Sequence, residues 1–135
     1  IVRGARVYAY SSEDNLYQLW YTMVFREDWA REDPDSAGAT YRAVAEAMDW
    51  VNANREEAVQ LAARTFRTPV ADMRVQMAGN TYVLDTKREH PVRIKQVAAW
   101  AKQRNLLNVE NTDRLVDEYY YPDIAKRYAP NLTDF

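Results

Sequence analysis

The sequence predicts an α/β chain in which two strands precede a run of helices. Three observations predict it. Residues 5–10 alternate Val7 and Ala9 with Tyr8 and Tyr10, a period of two. Residues 20–25, WYTMVF, form a near-continuous aromatic and β-branched run, the composition of a strand buried on both faces. After Phe25 the apolar period changes to 3.6, and helix-start signals recur to the end of the chain.

Gly4 suits a turn ahead of the first strand. Ser11, Ser12, Glu13, Asp14 and Asn15 follow it as a polar loop whose side chains hydrogen-bond their own backbone. The connection to the second strand is about ten residues, longer than a tight hairpin needs, and long loops between strands often carry function. Residues 26–31 read as a short helical turn with solvated charges. Asp33 then caps a helix with Pro34 at its first position and Asp35 in its first turn. Ala37, Tyr41, Val44, Met48 and Val51 share one stripe of that helix, predicted to face the core. Ala39, Ala43, Ala47 and Trp50 form a second stripe of mostly small residues, so two neighbours are expected to flank it.

Asn54 is a candidate cap for the next helix, with Ala58, Leu61, Ala62 and Thr65 as its core face. Thr68-Pro69 opens another helix by the same cap-then-proline pattern. Its inner side is Val70, Met73 and Met77, and Gly79 ends it. Residues 80–89 read as irregular or briefly extended. His90-Pro91 starts a helix with Ile94, Val97, Ala98 and Ala101 buried, and Asn105 suits a left-handed cap. Thr112 is expected to cap a helix through Leu115, Val116, Tyr119 and Tyr120. Pro122 breaks it ahead of a last helix from Ile124 to Tyr128.

Composition narrows the function. The 135 residues suffice for one domain, and 28% charged against 47% hydrophobic is a globular balance. A net charge of −2 with scattered basic residues gives no footprint for nucleic acid. The absence of cysteine removes disulfides, thiolate nucleophiles and cysteine metal sites from this chain. Three glycines cannot make a glycine-rich phosphate loop. No apolar run approaches the ~20 residues that span a bilayer. Ile1 in place of methionine reads as a processed, trimmed or fragmentary chain.

No catalytic constellation stands out, and no cofactor is expected. His90 is the only histidine and has no acidic partner at ligand spacing, so a helix-start role is read in place of a metal site. Ser11 and Ser12 lack a histidine base. Asp33 and Asp35 read as helix-start charge rather than an acid–base pair. Asn131-Leu132-Thr133 matches a glycosylation sequon, a short pattern that recurs by chance. The expected ligand site is the loop between the strands. Tyr17 and Trp20 are its stacking walls, and Ser11, Ser12 and Asn15 are its hydrogen-bonding groups.

Several segments together resemble one family. They are Gly4 with the strand after it, Phe25-Arg26-Glu27-Asp28, Asp33-Pro34 and the Ala43 to Trp50 helix. Asn54-Arg55-Glu56-Glu57-Ala58, Val97 to Leu107, and Leu115-Val116-Asp117 with Tyr119-Tyr120 complete the set. In this order they resemble the substrate-binding proteins of ABC importers for nitrate, sulfonate, taurine and thiamine-pyrimidine precursors. Asn105 stands where glycine is usual, and Leu16-Tyr17-Gln18 lacks the usual Gly/Pro character.

The resemblance implies the C-terminal, mostly helical part of a two-lobe periplasmic-binding-protein fold of type II. Residues 1–25 would be crossing strands and loop, and residues 26–135 the helical C-terminal part of the first lobe. It implies capture of a small organic or anionic solute by lobe closure, outside the cytoplasm, beside a membrane permease. The remaining N-terminal part of the same protein would be a partner. The alternative is an enzyme on the same fold, of the desulfinase or pyrimidine-precursor synthase type. Independently, two strands alone make a marginal sheet, so the chain is expected to be part of something larger.

Overall fold

In the computed structural model, residues 21–135 are described. Among the described residues seven helices follow one another: α1 (Glu27–Glu32), α2 (Pro34–Ala53), α3 (Arg55–Phe66), α4 (Val70–Met77), α5 (Glu89–Gln103), α6 (Thr112–Tyr119) and α7 (Asp123–Tyr128). A 3₁₀ turn, Pro130–Leu132, closes the chain. No strand occurs among the described residues. Their one β-type pairing is an isolated parallel bridge between Thr86 and Thr133.

The α/β expectation is therefore corrected to an all-helical architecture over the described residues. The predicted strand at 5–10 lies outside them. The predicted strand at 20–25 is not formed over its described part, where residues 21–26 have no regular structure. Its continuous apolarity predicts burial on both faces, yet its cover is partial. Met23 and Phe25 pack on the core, while Tyr21 is 88% exposed and Val24 82%. With no strand beside it among the described residues, the segment lies along helices and has no ladder to join.

The helix starts follow the chain's own chemistry. Asp33 accepts a hydrogen bond from the Ser36 amide at 3.1 Å, which satisfies one orphan donor of α2, and Pro34 occupies N1. Three caps differ from expectation. Thr68 does not cap α4: Pro69 stands at the N-cap, and the Thr68 hydroxyl donates to the Phe66 carbonyl. Asn111, not Thr112, caps α6, its Oδ1 accepting from the Arg114 amide at 2.9 Å. Asn54 does not cap α3. Its side chain turns back to donate to the Trp50 carbonyl at 2.9 Å and so closes α2. Asn105 adopts the left-handed conformation expected of it, with φ 56°.

Packing divides into one group of three helices and two helix pairs. The first core joins α1, α2 and α7 through buried Ala30, Ala37, Tyr41, Ile124, Ala125 and Ala129. Here Gly38 admits the Tyr128 ring directly onto the α2 backbone. The second core joins α3 to α4 through Val59, Ala63 and Met73. An exposed Arg74–Glu56 ion pair at 2.6 Å spans that pair. In the third, α5 lies against α6 with Lys95 and Asp117 2.6 Å apart, but α5 buries no residue fully.

Two predicted faces shift. In α3, Ala58 is buried as expected, but Val59 and Ala63 complete the face, while Leu61 is 48% exposed. In α5, Val97 is 64% exposed. No described helix is long and apolar enough to cross a membrane.

Candidate functional site

The α2 stripe is continuous in the sequence, but its packing is not. Ala37 and Tyr41 are covered by α7, whereas Val44, Met48 and Val51 lie beyond it. There they join Ala43, Ala47 and Trp50 from the second stripe as one wall of an open groove. α3 supplies the facing wall and α4 the floor around Met73 and Met77. The volume is about 1110 Å³, above the roughly 300–1,000 Å³ usual for small-molecule sites.

One end is set by Tyr82. This residue sits in the irregular segment after α4, and its backbone is held on both sides by Asn52. The Tyr82 amide donates to Asn52 Oδ1 at 3.0 Å, and Asn52 Nδ2 donates to the Tyr82 carbonyl at 2.5 Å. The Arg55 guanidinium lies 5.4 Å from the Tyr82 ring centre and donates to the Asn80 carbonyl. A paired amide bridge and a cation–π contact thus fix one aromatic plate against the groove.

The lining carries no Asp, Glu, Lys, Arg or His. Its threonine hydroxyls are spent on their own backbone. Thr40 donates to the Ser36 carbonyl and Thr65 to the Leu61 carbonyl, both at 2.9 Å, and Thr68 donates to the Phe66 carbonyl. The Gln76 amide and the Tyr82 hydroxyl make no hydrogen bond among the described residues. The groove can hold an apolar body by contact and offers a few neutral polar ends.

A polar knot lies elsewhere, around residues 85–90. Tyr41 Oη and Thr86 Oγ1 are 2.9 Å apart, Tyr120 donates to the Lys87 carbonyl, and the Thr86 amide donates to the Leu132 carbonyl. Burial, reinforced by Tyr41, Asp85 and Asp134, pushes the Tyr120 hydroxyl up to about 12. Burial also raises Tyr41, its bond to Thr86 working the other way. His90 belongs to this knot. Its Nδ1 accepts from the Lys87 amide at 3.3 Å, and its Nε2 lies 3.5 Å from Asp85 Oδ1. The fold gives it the acidic neighbour that residue spacing did not suggest, in a structural setting. No group of three metal-ligating residues occurs among the described residues.

Asp33 and Asp35 serve the start of α2, as expected of helix-start charge: Asp33 caps it, and Asp35 accepts from the Tyr128 hydroxyl. Asn131 is exposed in the closing turn. The predicted ligand residues Tyr17, Trp20, Ser11, Ser12 and Asn15 lie outside the described residues. The groove was missed because its residues were assigned to the core. The available signal is the second stripe, in which Ala43, Ala47 and Trp50 follow Ala39 at helical spacing and give the helix a second apolar side. The chain matches no protein-family model, no curated protein and no solved structure.

Proposed function

We propose that the chain works by reversible binding, as part of the solute-binding component of an ABC importer that captures a small organic solute. The observation that carries the binding half is the open groove between α2, α3 and α4, with the Tyr82 plate fixed at one end. The importer half is supported by the ordered resemblance from Phe25-Arg26-Glu27-Asp28 through Asn54-Arg55-Glu56-Glu57-Ala58 to Leu115-Val116-Asp117. On this reading the protein works outside the cytoplasm, beside a permease, and leaves its solute chemically unchanged.

The test is a thermal-shift screen of the purified chain against small organic solutes, with mass analysis of each solute afterwards. At least one solute raises the melting temperature and is recovered intact. Chemical conversion of the bound solute, or no solute-dependent shift across the screen, overturns the proposal. Membrane extracts provide the second readout, since the importer reading requires a permease to be cross-linked to the solute-loaded chain.

A further inference from the structure

We propose that the outward face of α5 docks on an anionic lipid surface, with Trp100 among the headgroups and Arg93 and Arg104 on their phosphates. The proposal goes beyond solute capture, and its test reads lipid binding with no solute present.

Charge gives the first observation. Of the 18 Lys and Arg residues, six fall within residues 87–104: Lys87, Arg88, Arg93, Lys95, Lys102 and Arg104. Glu89 is the one carboxylate among them. The whole chain carries −2, so this segment is a local reversal of sign.

The face itself gives the second. Arg93, Val97, Trp100 and Arg104 stand at i, i+4, i+7 and i+11, one stripe of α5 roughly 16 Å long. Among the described elements α5 packs only on α6. Ile94, Ala98 and Ala101, about a quarter-turn round the helix from the stripe, are partly buried. The stripe stays outward: Val97 and Trp100 are exposed, Trp100 at 53%, and Leu106 just past the helix end is 69% exposed.

The cations divide in the same way. Lys95 lies 2.6 Å from Asp117, and Lys102 donates to the Glu110 carbonyl, so both serve the junction with α6 and its approach. Arg93, paired with Glu89 at 3.2 Å, and Arg104 bracket Val97 and Trp100 on the outward stripe.

A bilayer surface fits this combination. In a helix lying at an interface, apolar and indole side chains reach the acyl boundary while cations meet lipid phosphates. The guanidinium fork suits phosphate oxygens. With 15 residues, and Arg93 and Lys95 in its first half, α5 lies along a bilayer and does not cross it. A second copy fits badly. Two-fold pairing through the stripe sets arginine against arginine, a like-charge contact that Glu89, already on Arg93, does not relieve.

The test is co-sedimentation of the 135-residue chain with sucrose-loaded vesicles. One set is phosphatidylcholine alone, the other phosphatidylcholine with phosphatidylglycerol at roughly two to one. The chain is expected to partition at least about tenfold more strongly to the anionic set, and added salt should weaken it. Trp100→Ala and Arg104→Glu should each lower that partition by about fivefold or more. Both positions are exposed, so helical circular dichroism is expected unchanged. Val75→Ser, at an exposed apolar position on α4, should leave the partition as it is.

Equal partition to the two sets, or none to either, overturns the proposal. So does an equal loss in Val75→Ser and Trp100→Ala, which marks general adhesion of apolar surface. Displacement from the anionic vesicles by soluble polyglutamate at equal charge overturns it in favour of an acidic protein partner. Sedimentation without lipid gives the last outcome: a dimer abolished by Trp100→Ala puts a second copy on this face and overturns the proposal. The solute screen reads the groove separately, so either result can fail without the other.

Discussion

Gly38→Ala is expected to destabilise the fold, against the usual effect of that substitution. In a helix interior, alanine is favoured over glycine by ~1 kcal/mol because it restricts the unfolded chain more. Gly38 lies inside α2 with a negative φ, so no backbone strain opposes alanine. The obstacle is steric. A Cβ there would come within 2.6 Å of Tyr128 Cδ1 and nearer still to Cγ and Cδ2, where real Cβ atoms keep at least 3.0 Å. The overlap falls at the root of the ring, so rotating the side chain does not relieve it. α7 must withdraw from α2, which loosens Ala37, Ile124, Ala125 and Ala129.

Overpacking of this kind costs ~1–3 kcal/mol. Set against the propensity gain, the net loss is about 1 kcal/mol, which lowers the melting temperature by roughly 4 °C at this chain length. Urea unfolding followed by helical circular dichroism measures it. In a Tyr128→Ala background the ring is gone, so the same Gly38→Ala change should become stabilising. A Gly38→Ala protein more stable than its parent would refute the close approach of α7 to α2. So would a loss of the same size with and without Tyr128.

Met73→Ala should cost about 2–3 kcal/mol in urea unfolding, because Met73 is 5% exposed between α3 and α4. Met48→Ala, on the open groove wall, should cost less than about 1 kcal/mol in the same measurement. Asn52→Ala removes both bonds to the Tyr82 backbone and should cost about 1–2 kcal/mol, with faster amide exchange at Tyr82. The Tyr120 hydroxyl, raised to about 12 in the fold against 10.0 ordinarily, remains protonated where the unfolded chain has ionised. Its contribution is therefore complete below pH 10 and falls as pH rises toward 12; the urea midpoint should drop across that window, and less steeply in Tyr120→Phe.

The parts of the fold legible in the sequence were those set by local chemistry. Asp33-Pro34 marks the start of α2 because a carboxylate cap and a missing amide act within one turn. Asn105 is read as left-handed because few side chains tolerate that conformation. Misreadings occurred where a residue's partner is distant. Residues 20–25 have strand composition, but pairing is supplied by a neighbour, and none stands beside their described part. Asn54 has the right side chain to cap α3, yet the Trp50 carbonyl competes for it and wins. His90 lies five residues from Asp85, a spacing that means little until the turn before α5 brings them together.

The candidate groove follows from the same distinction. Periodicity fixes which α2 residues share a face, and Tyr41, Val44 and Met48 do share one. It does not fix how much of that face another element covers. α7 is six residues long, and at 1.5 Å rise per residue it spans about 9 Å, against about 30 Å for α2. It can cover Ala37 and Tyr41 but cannot reach Met48 or Val51. α3 turns away to pack on α4 through Val59 and Ala63, so its Ala58, Leu61 and Ala62 are left facing the same gap. A single apolar stripe thereby becomes core in its first half and the wall of an open groove in its second. The division is set by the length of a helix more than seventy residues later in the chain.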